Sequence, residues 1–128
     1  MTERQKFGSG TQWEAEVGYS RVVRVGNRIY VAGTVAADQT GTTIAPGDAY
    51  GQAKYILEKI AGALAEAGAS MSHVVRTRMF VTDVSLWQEF GRAHGEFFHD
   101  VRPVATMVQV VSLIGPDQLI EIEVEAEL

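Results

Sequence analysis

Near the C-terminal end, Glu121, Glu123, Glu125 and Glu127 alternate with Ile120, Ile122, Val124 and Ala126. A period of two puts the carboxylates on one face of a strand and the apolar side chains on the other. The plain reading of such a row is a solvated or salt-bridged face, or one buried against another subunit. A member of the row whose surroundings perturb its pKa is instead a candidate for proton transfer. Within Val74 to Val81, Arg76 and Arg78 share a face with Phe80, while Val75, Thr77, Met79 and Val81 share the other. Two arginines on one strand and a carboxylate row on another are natural ion-pair partners if the strands are neighbours.

Other chemistries find less support. The chain contains no cysteine, which excludes disulfides, thiolate zinc sites and cysteine nucleophiles. His73, His94 and His99 are 21 and 5 residues apart, a spacing that puts no two on one helical turn, and no carboxylate pattern completes a metal site. No serine sits in a nucleophile-elbow pattern, and the glycines form no phosphate-binding loop.

The elements that must position these residues follow from periodicity and turn chemistry. Residues 1–16 read as an irregular segment, with Phe7 and Trp13 as its large anchors. Ser20 to Val25 and Arg28 to Ala32 read as strands joined by a tight Gly26-Asn27 turn. Gly33 is expected to end the second strand and Thr34 to Gly47 to form a loop. Asp48 caps a helix in which Ala53, Ile56, Leu57, Ile60, Leu64 and Ala67 recur at helical spacing, stopped by Gly68. Val74 to Val81 is a strand. Ser85 is expected to cap a second helix with a stripe of Leu86, Phe90, Ala93, Phe97 and Phe98. Ala105 to Val111 and Leu119 to Glu127 are strands, separated by a turn at Gly115-Pro116-Asp117. The order β-β-α-β-α-β-β gives a single α/β (α+β) domain with one mixed sheet. Two helices cover only one face of such a sheet, so the other is solvated or buried in a partner.

The composition agrees with one globular domain. Of 128 residues, 46% are hydrophobic and 21% charged, so there is enough apolar material for a core. A net charge of −5 repels phosphate backbones and weighs against a nucleic-acid partner. The polar first ten residues lack the apolar core of a signal peptide, and no run approaches a membrane span, so the expectation is a cytoplasmic protein with no membrane partner.

Several stretches, in order, resemble the reactive-intermediate deaminase (Rid, or YjgF-like) family, also known as endoribonuclease L-PSP. They are Val17 to Ser20, Ile29 to Gly33 (IYVAG), Ala67-Gly68-Ala69, Val74 to Asp83 (VVRTRMFVTD), Glu96-Phe97-Phe98, Arg102-Pro103 and Ile120 to Glu123 (IEIE). The resemblance covers roughly residues 17 to 127. It implies a chorismate-mutase-like fold in a homotrimer whose uncovered sheet faces form a central barrel, with small-molecule clefts between subunits. It also implies hydrolysis of enamines or imines to a carbonyl compound and ammonia, with no metal and no organic cofactor.

Carried over residue by residue, the resemblance places the cleft tyrosine at Tyr19, the glycine at Gly33 and the water-positioning glutamate at Glu121. His94 lies where some members place cleft residues. The substrate-binding arginine of the family, two residues after the proline, falls on Ala105. Loss of a charge-assisted carboxylate bond weakens binding of a 2-imino acid by about one to two decades. Ala105 and Met107 on the same strand would suit a neutral or more apolar substrate. Arg78 is a candidate substitute cation, pointing into the cleft or neutralising Glu121. A trimer that binds a metabolite without chemistry is the alternative that Ala105 favours. A ribonuclease fits less well, given the acidic charge and the absent nucleophile–histidine pair.

Overall fold

The computed structural model describes residues 3–128. Six strands form one mixed sheet: β1 (Arg4–Phe7), β2 (Val22–Val25), β3 (Arg28–Val35), β4 (Val74–Val81), β5 (Val104–Gln109) and β6 (Ile120–Glu127). The helices are α1 (Gln12–Val17), α2 (Ala49–Glu66) and α3 (Trp87–Phe98). The sheet order is β1-β2-β3-β6-β4-β5, antiparallel throughout except for the parallel pair β4–β5.

Helix α2 forms where the spacing requires it. The Asp48 side chain accepts from the Gly51 N–H at 2.8 Å and caps the first turn. Ala53, Ile56, Leu57, Ile60 and Leu64 are buried on one stripe against the sheet. Gly68, at φ +86°, turns the chain out of the helix, and the Ala69 N–H returns to the Leu64 carbonyl at 2.9 Å. Arg24 of β2 donates to the Ala67 carbonyl at 2.6 Å, placing a cation at the negative end of the helix.

The two faces of β6 differ as the alternation predicts. Ile120, Ile122, Val124 and Ala126 are buried under the helices, while Glu121, Glu123, Glu125 and Glu127 line the face that no helix covers. The core joins these residues to Val22, Ile29 and Val31, to Met79 and Val81, and to Phe90, Ala93 and Phe98 of α3.

Several boundaries differ from the sequence expectation. The segment expected to be irregular contains β1 and α1. β1 is exposed and carries no hydrophobic alternation; its backbone pairing with β2, from Arg4 opposite Val25 to Phe7 opposite Val22, makes it a strand. Beyond it, the Glu14 carboxylate gathers the Ser9 N–H and hydroxyl and the Thr11 hydroxyl, tying down the start of α1. Gly33 does not end β3; the strand runs to Val35 through a register shift between Val31 and Thr34. A shift between Val74 and Arg76 turns Val75 out to 46% exposure, so it does not share the buried face of Thr77, Met79 and Val81. Ser85 does not cap α3. Asp83 caps a preceding 3-10 turn (Val84–Leu86) by accepting from the Ser85 N–H at 3.0 Å, and α3 begins at Trp87. β5 starts one residue earlier and ends two residues sooner than expected, leaving Val111 fully exposed. No helix among the described residues is long and apolar enough to cross a membrane.

Candidate functional site

β6 lies between β3 and β4, so its carboxylate row meets both neighbours. On the β4 side, Arg76 Nε lies 2.9 Å from Glu125, and Arg78 lies 3.5 Å from Glu123 and 3.7 Å from Glu125. The expected pairing of the two rows is therefore present. Within one chain the carboxylates nearest Arg78 are those of Glu123 and Glu125, not that of Glu121. The residue opposite Glu121 on β4 is Phe80.

Glu121 sits in a different environment. Opposite it on the other side is Val35, at the end of the β3 bulge. The bulge brings Gly33 under the Glu121 side chain: a Cβ added at Gly33 would lie 3.0 Å from Cδ and 3.3 Å from Cγ of the glutamate. Gly33 is thus required for close approach of the carboxylate to the backbone. Burial there raises the Glu121 pKa above the ordinary carboxylate value, with the nearby Glu123 adding to it and the Arg21 guanidinium opposing it.

Arg21 is the residue that sequence reasoning missed. Its Nη1 donates to the Gly33 carbonyl at 2.9 Å, to the Thr34 hydroxyl at 3.0 Å and, more weakly, to the Ala32 carbonyl at 3.5 Å. It therefore braces the bulge that holds Gly33 beneath Glu121. The guanidinium carbon lies 5.8 Å from the ring centroid of Tyr19, within cation–π range. Tyr19, Arg21, Gly33 and Glu121 are in this way linked at one end of the uncovered face. The signal in the sequence was the spacing of two from Tyr19; the bulge that makes it matter has no local signature.

His94, Ala105 and Met107 lie elsewhere. Ala105 is in register with Thr77 and Met107 with Met79, and both β4 residues are buried under the helices. Met107 accordingly packs against the core, whereas Ala105 is exposed on the edge strand. His94 Nε2 of α3 and the Thr77 hydroxyl share a 2.9 Å hydrogen bond, and burial lowers the His94 pKa. His94 is thus tied to β4 within one chain. One strand, β4, separates β6 from β5, and Phe80, the β4 partner of Glu121, is in register with Val108, three residues beyond Ala105. The two groups are therefore roughly 10 Å apart across the sheet and roughly 10 Å along it, on opposite faces. One copy of the chain does not bring them together.

Residues 10–128 match the family described as endoribonuclease L-PSP. The chain belongs to this family. It is the Rid or YjgF-like family that the sequence motifs resemble. An uncharacterized protein of Streptomyces coelicolor is 38% identical over 122 residues, covering 95% of this chain and 90% of the relative. The 3-aminoacrylate deaminase RutC of Acinetobacter baylyi is 33% identical over 104 residues, covering 81% of this chain and 82% of the relative. Among solved structures, a Mycobacterium tuberculosis member of the YjgF/YER057c/UK114 family superposes with a TM-score of 0.89 at 42% identity, covering 98% of this chain and all of the other. The mixed sheet with its helices is the fold of this L-PSP family. The bulged β3 and the Glu121–Gly33 contact are features this L-PSP family chain builds from its own residues.

Proposed function

We propose that this protein hydrolyses a small enamine or imine at clefts formed between copies of a homotrimer, with Glu121 as the proton-transfer group. The observation that carries the reading is the half-buried Glu121 carboxylate lodged on Gly33, its pKa raised by that burial. A carboxyl group whose pKa is raised holds its proton more readily than a solvated one and still accepts one once ionised, so it can serve both as proton donor and as acceptor.

The chemistry balances through this one group. Protonated Glu121 gives its proton to the enamine carbon, forming an iminium. The resulting carboxylate accepts a proton as water adds to the iminium carbon. Glu121 returns that proton to the nitrogen of the carbinolamine. Ammonia leaves as the carbonyl forms, and the hydroxyl proton restores Glu121. The net change is enamine plus water to carbonyl compound plus ammonia. The 33% identical relative that deaminates 3-aminoacrylate supports this reaction class. Tyr19 and the backbone at Gly33 hold the substrate beside Glu121.

The exposed surface supports assembly. Among the described residues β5 leaves one edge unpaired, and Val104 and Val108 on it and Tyr30 on the uncovered face are exposed. Ile114 is fully exposed beyond the end of β5. Covering such apolar groups favours association. A cleft in which the β5 edge of one copy meets the Glu121 end of the next unites the two residue groups that a single copy keeps apart.

A second reading is favoured by Ala105, which leaves β5 without a cation: the trimer binds a metabolite and does no chemistry. Ammonia release from freshly generated 2-aminoacrylate and 3-aminoacrylate separates the two. The enzyme reading expects acceleration over buffer that Glu121→Gln removes. Absence of acceleration with both substrates, together with retained ligand binding, would establish the binding reading instead. The acidic net charge of −5 gives no support to a ribonuclease role.

A further inference from the structure

Arg21 has a structural task that occupies only part of its guanidinium. The group carries five N–H donors. The contacts to Gly33, Thr34 and Ala32 all come from Nη1. Nε and Nη2 donate to nothing among the described residues. Those two nitrogens form the edge that grips a carboxylate with two parallel hydrogen bonds. The side chain is only partly buried, so this edge has not been traded for packing.

The nearest functional carboxylate does not use the edge. Glu121 feels the Arg21 charge, yet the two are outside ion-pair contact; the ion pairs of the open face are those of Arg76 and Arg78. A cation and a half-buried carboxylate thus stand near one another, each in contact with the β3 bulge at Gly33 but not with each other. Elsewhere on this face, the two arginines of β4 are consumed by glutamates. β5, Val104–Gln109, carries no cation.

We propose that Arg21 is the anion-binding residue of this site, gripping the carboxylate of the ligand through Nε and Nη2 while Nη1 holds the β3 bulge. The inference rests on the reading of Glu121 and Gly33 as a ligand site, and it names what that ligand carries: a carboxylate at one end, with the reacting nitrogen toward Glu121. An iminium formed from such a ligand places its positive charge beside the glutamate and its negative charge beside the arginine. The arrangement makes Arg21 a specificity-determining residue, one that separates carboxylate ligands from neutral ones.

Crotonate tests this directly. It has the shape of 3-aminoacrylate with a methyl group in place of the amine, it does not hydrolyse, and crotonamide is its neutral counterpart. Binding of both is followed by amide chemical-shift changes in the full-length protein. The wild type is expected to prefer crotonate. Arg21→Gln is expected to weaken crotonate about ten- to a hundred-fold and to leave crotonamide unchanged. If loss of the brace unfolds the glutamine variant, Arg21→Lys keeps a charge and a donor but not the planar edge, and crotonate alone is expected to weaken about ten-fold. Equal loss of both probes would mean that Arg21 only braces the bulge, and overturns the proposal. So does a folded variant that binds crotonate as the wild type does, or a wild type without preference. Hydrolysis is not the readout, so failure here leaves the Glu121 reaction to stand or fall by its own assay.

Discussion

The two ends of the carboxylate row on β6 carry the same residue type in different surroundings. At one end, Glu123 and Glu125 face Arg76 and Arg78, and the whole group is roughly one-third to two-fifths exposed. At the other, Glu121 faces Phe80 and Val35, rests on Gly33 and is held outside ion-pair contact with Arg21. Glu125, with Arg76 at 2.9 Å, is ion-paired and in part open to solvent. A glutamate desolvated against backbone has its two protonation states brought closer in energy. Alternation in the sequence makes the four carboxylates equivalent; the β3 bulge makes one of them different.

The largest expected effect comes from removing that difference chemically. Glu121→Gln should lower hydrolysis by about 10²–10⁴-fold, whereas Glu123→Gln should leave it within about two-fold, since general acid–base help is lost only in the first. Ammonia release rates of the purified variants decide this, and a comparable loss in both would erase the distinction. Gly33→Ala should act next most strongly. The added Cβ displaces the Glu121 carboxyl group, and a misplacement on the order of 1 Å costs on the order of 10²-fold in rate. A Gly33→Ala enzyme with normal activity would show that the close approach has no function.

At the paired end the effect should be small and electrostatic. A double-mutant cycle on Arg76 and Glu125, read by urea unfolding, should give a coupling of at most about 1 kcal/mol that shrinks in high salt. A larger, salt-insensitive coupling would mean that this end too is desolvated. The subtlest expectation concerns pH. Because burial raises the pKa of Glu121 in the folded chain, the folded state holds that proton more tightly than the unfolded state does. Its contribution to stability is therefore present below the ordinary glutamate value and is lost as pH rises through the folded value. Relative to wild type, Glu121→Gln should gain stability progressively as thermal unfolding is repeated from about pH 4 to about pH 8. A constant difference across that range would show that Glu121 is not perturbed.

Much of this was legible in the sequence because it depends on periodicity. The alternation from Ile120 to Glu127 defined the two faces of β6, the stripe from Ala53 to Leu64 defined α2, and the ordered motifs pointed to the family. What was not legible depends on pairing between distant segments. β1 has no pattern of its own and becomes a strand only because β2 offers an edge. The register shifts on β3 and β4 are set by their partners, and they decide that Gly33 lies under Glu121 and that Val75 faces outward. Arg21 was overlooked for the same reason: its task is defined by carbonyls twelve residues away. The partners of Arg78 depended on strand order in the same way: with β4 beside β6, it lies nearest Glu123 and Glu125 within one chain.

The central claim is that the working site takes Glu121 from one copy and the β5 edge from another. Subunit complementation tests it most directly. Glu121→Gln lacks the proton-transfer group, and Ala105→Trp fills the edge that the neighbouring cleft must receive. Each alone should be inactive and should sediment as three copies of a 13.9 kDa chain, about 42 kDa. Unfolded and refolded together in equal amounts, they should recover about a quarter of wild-type hydrolysis, because each cleft then has an even chance of each intact half. Recovery of none, from mixed assemblies shown to have formed, would place the whole site within a single chain and contradict the account.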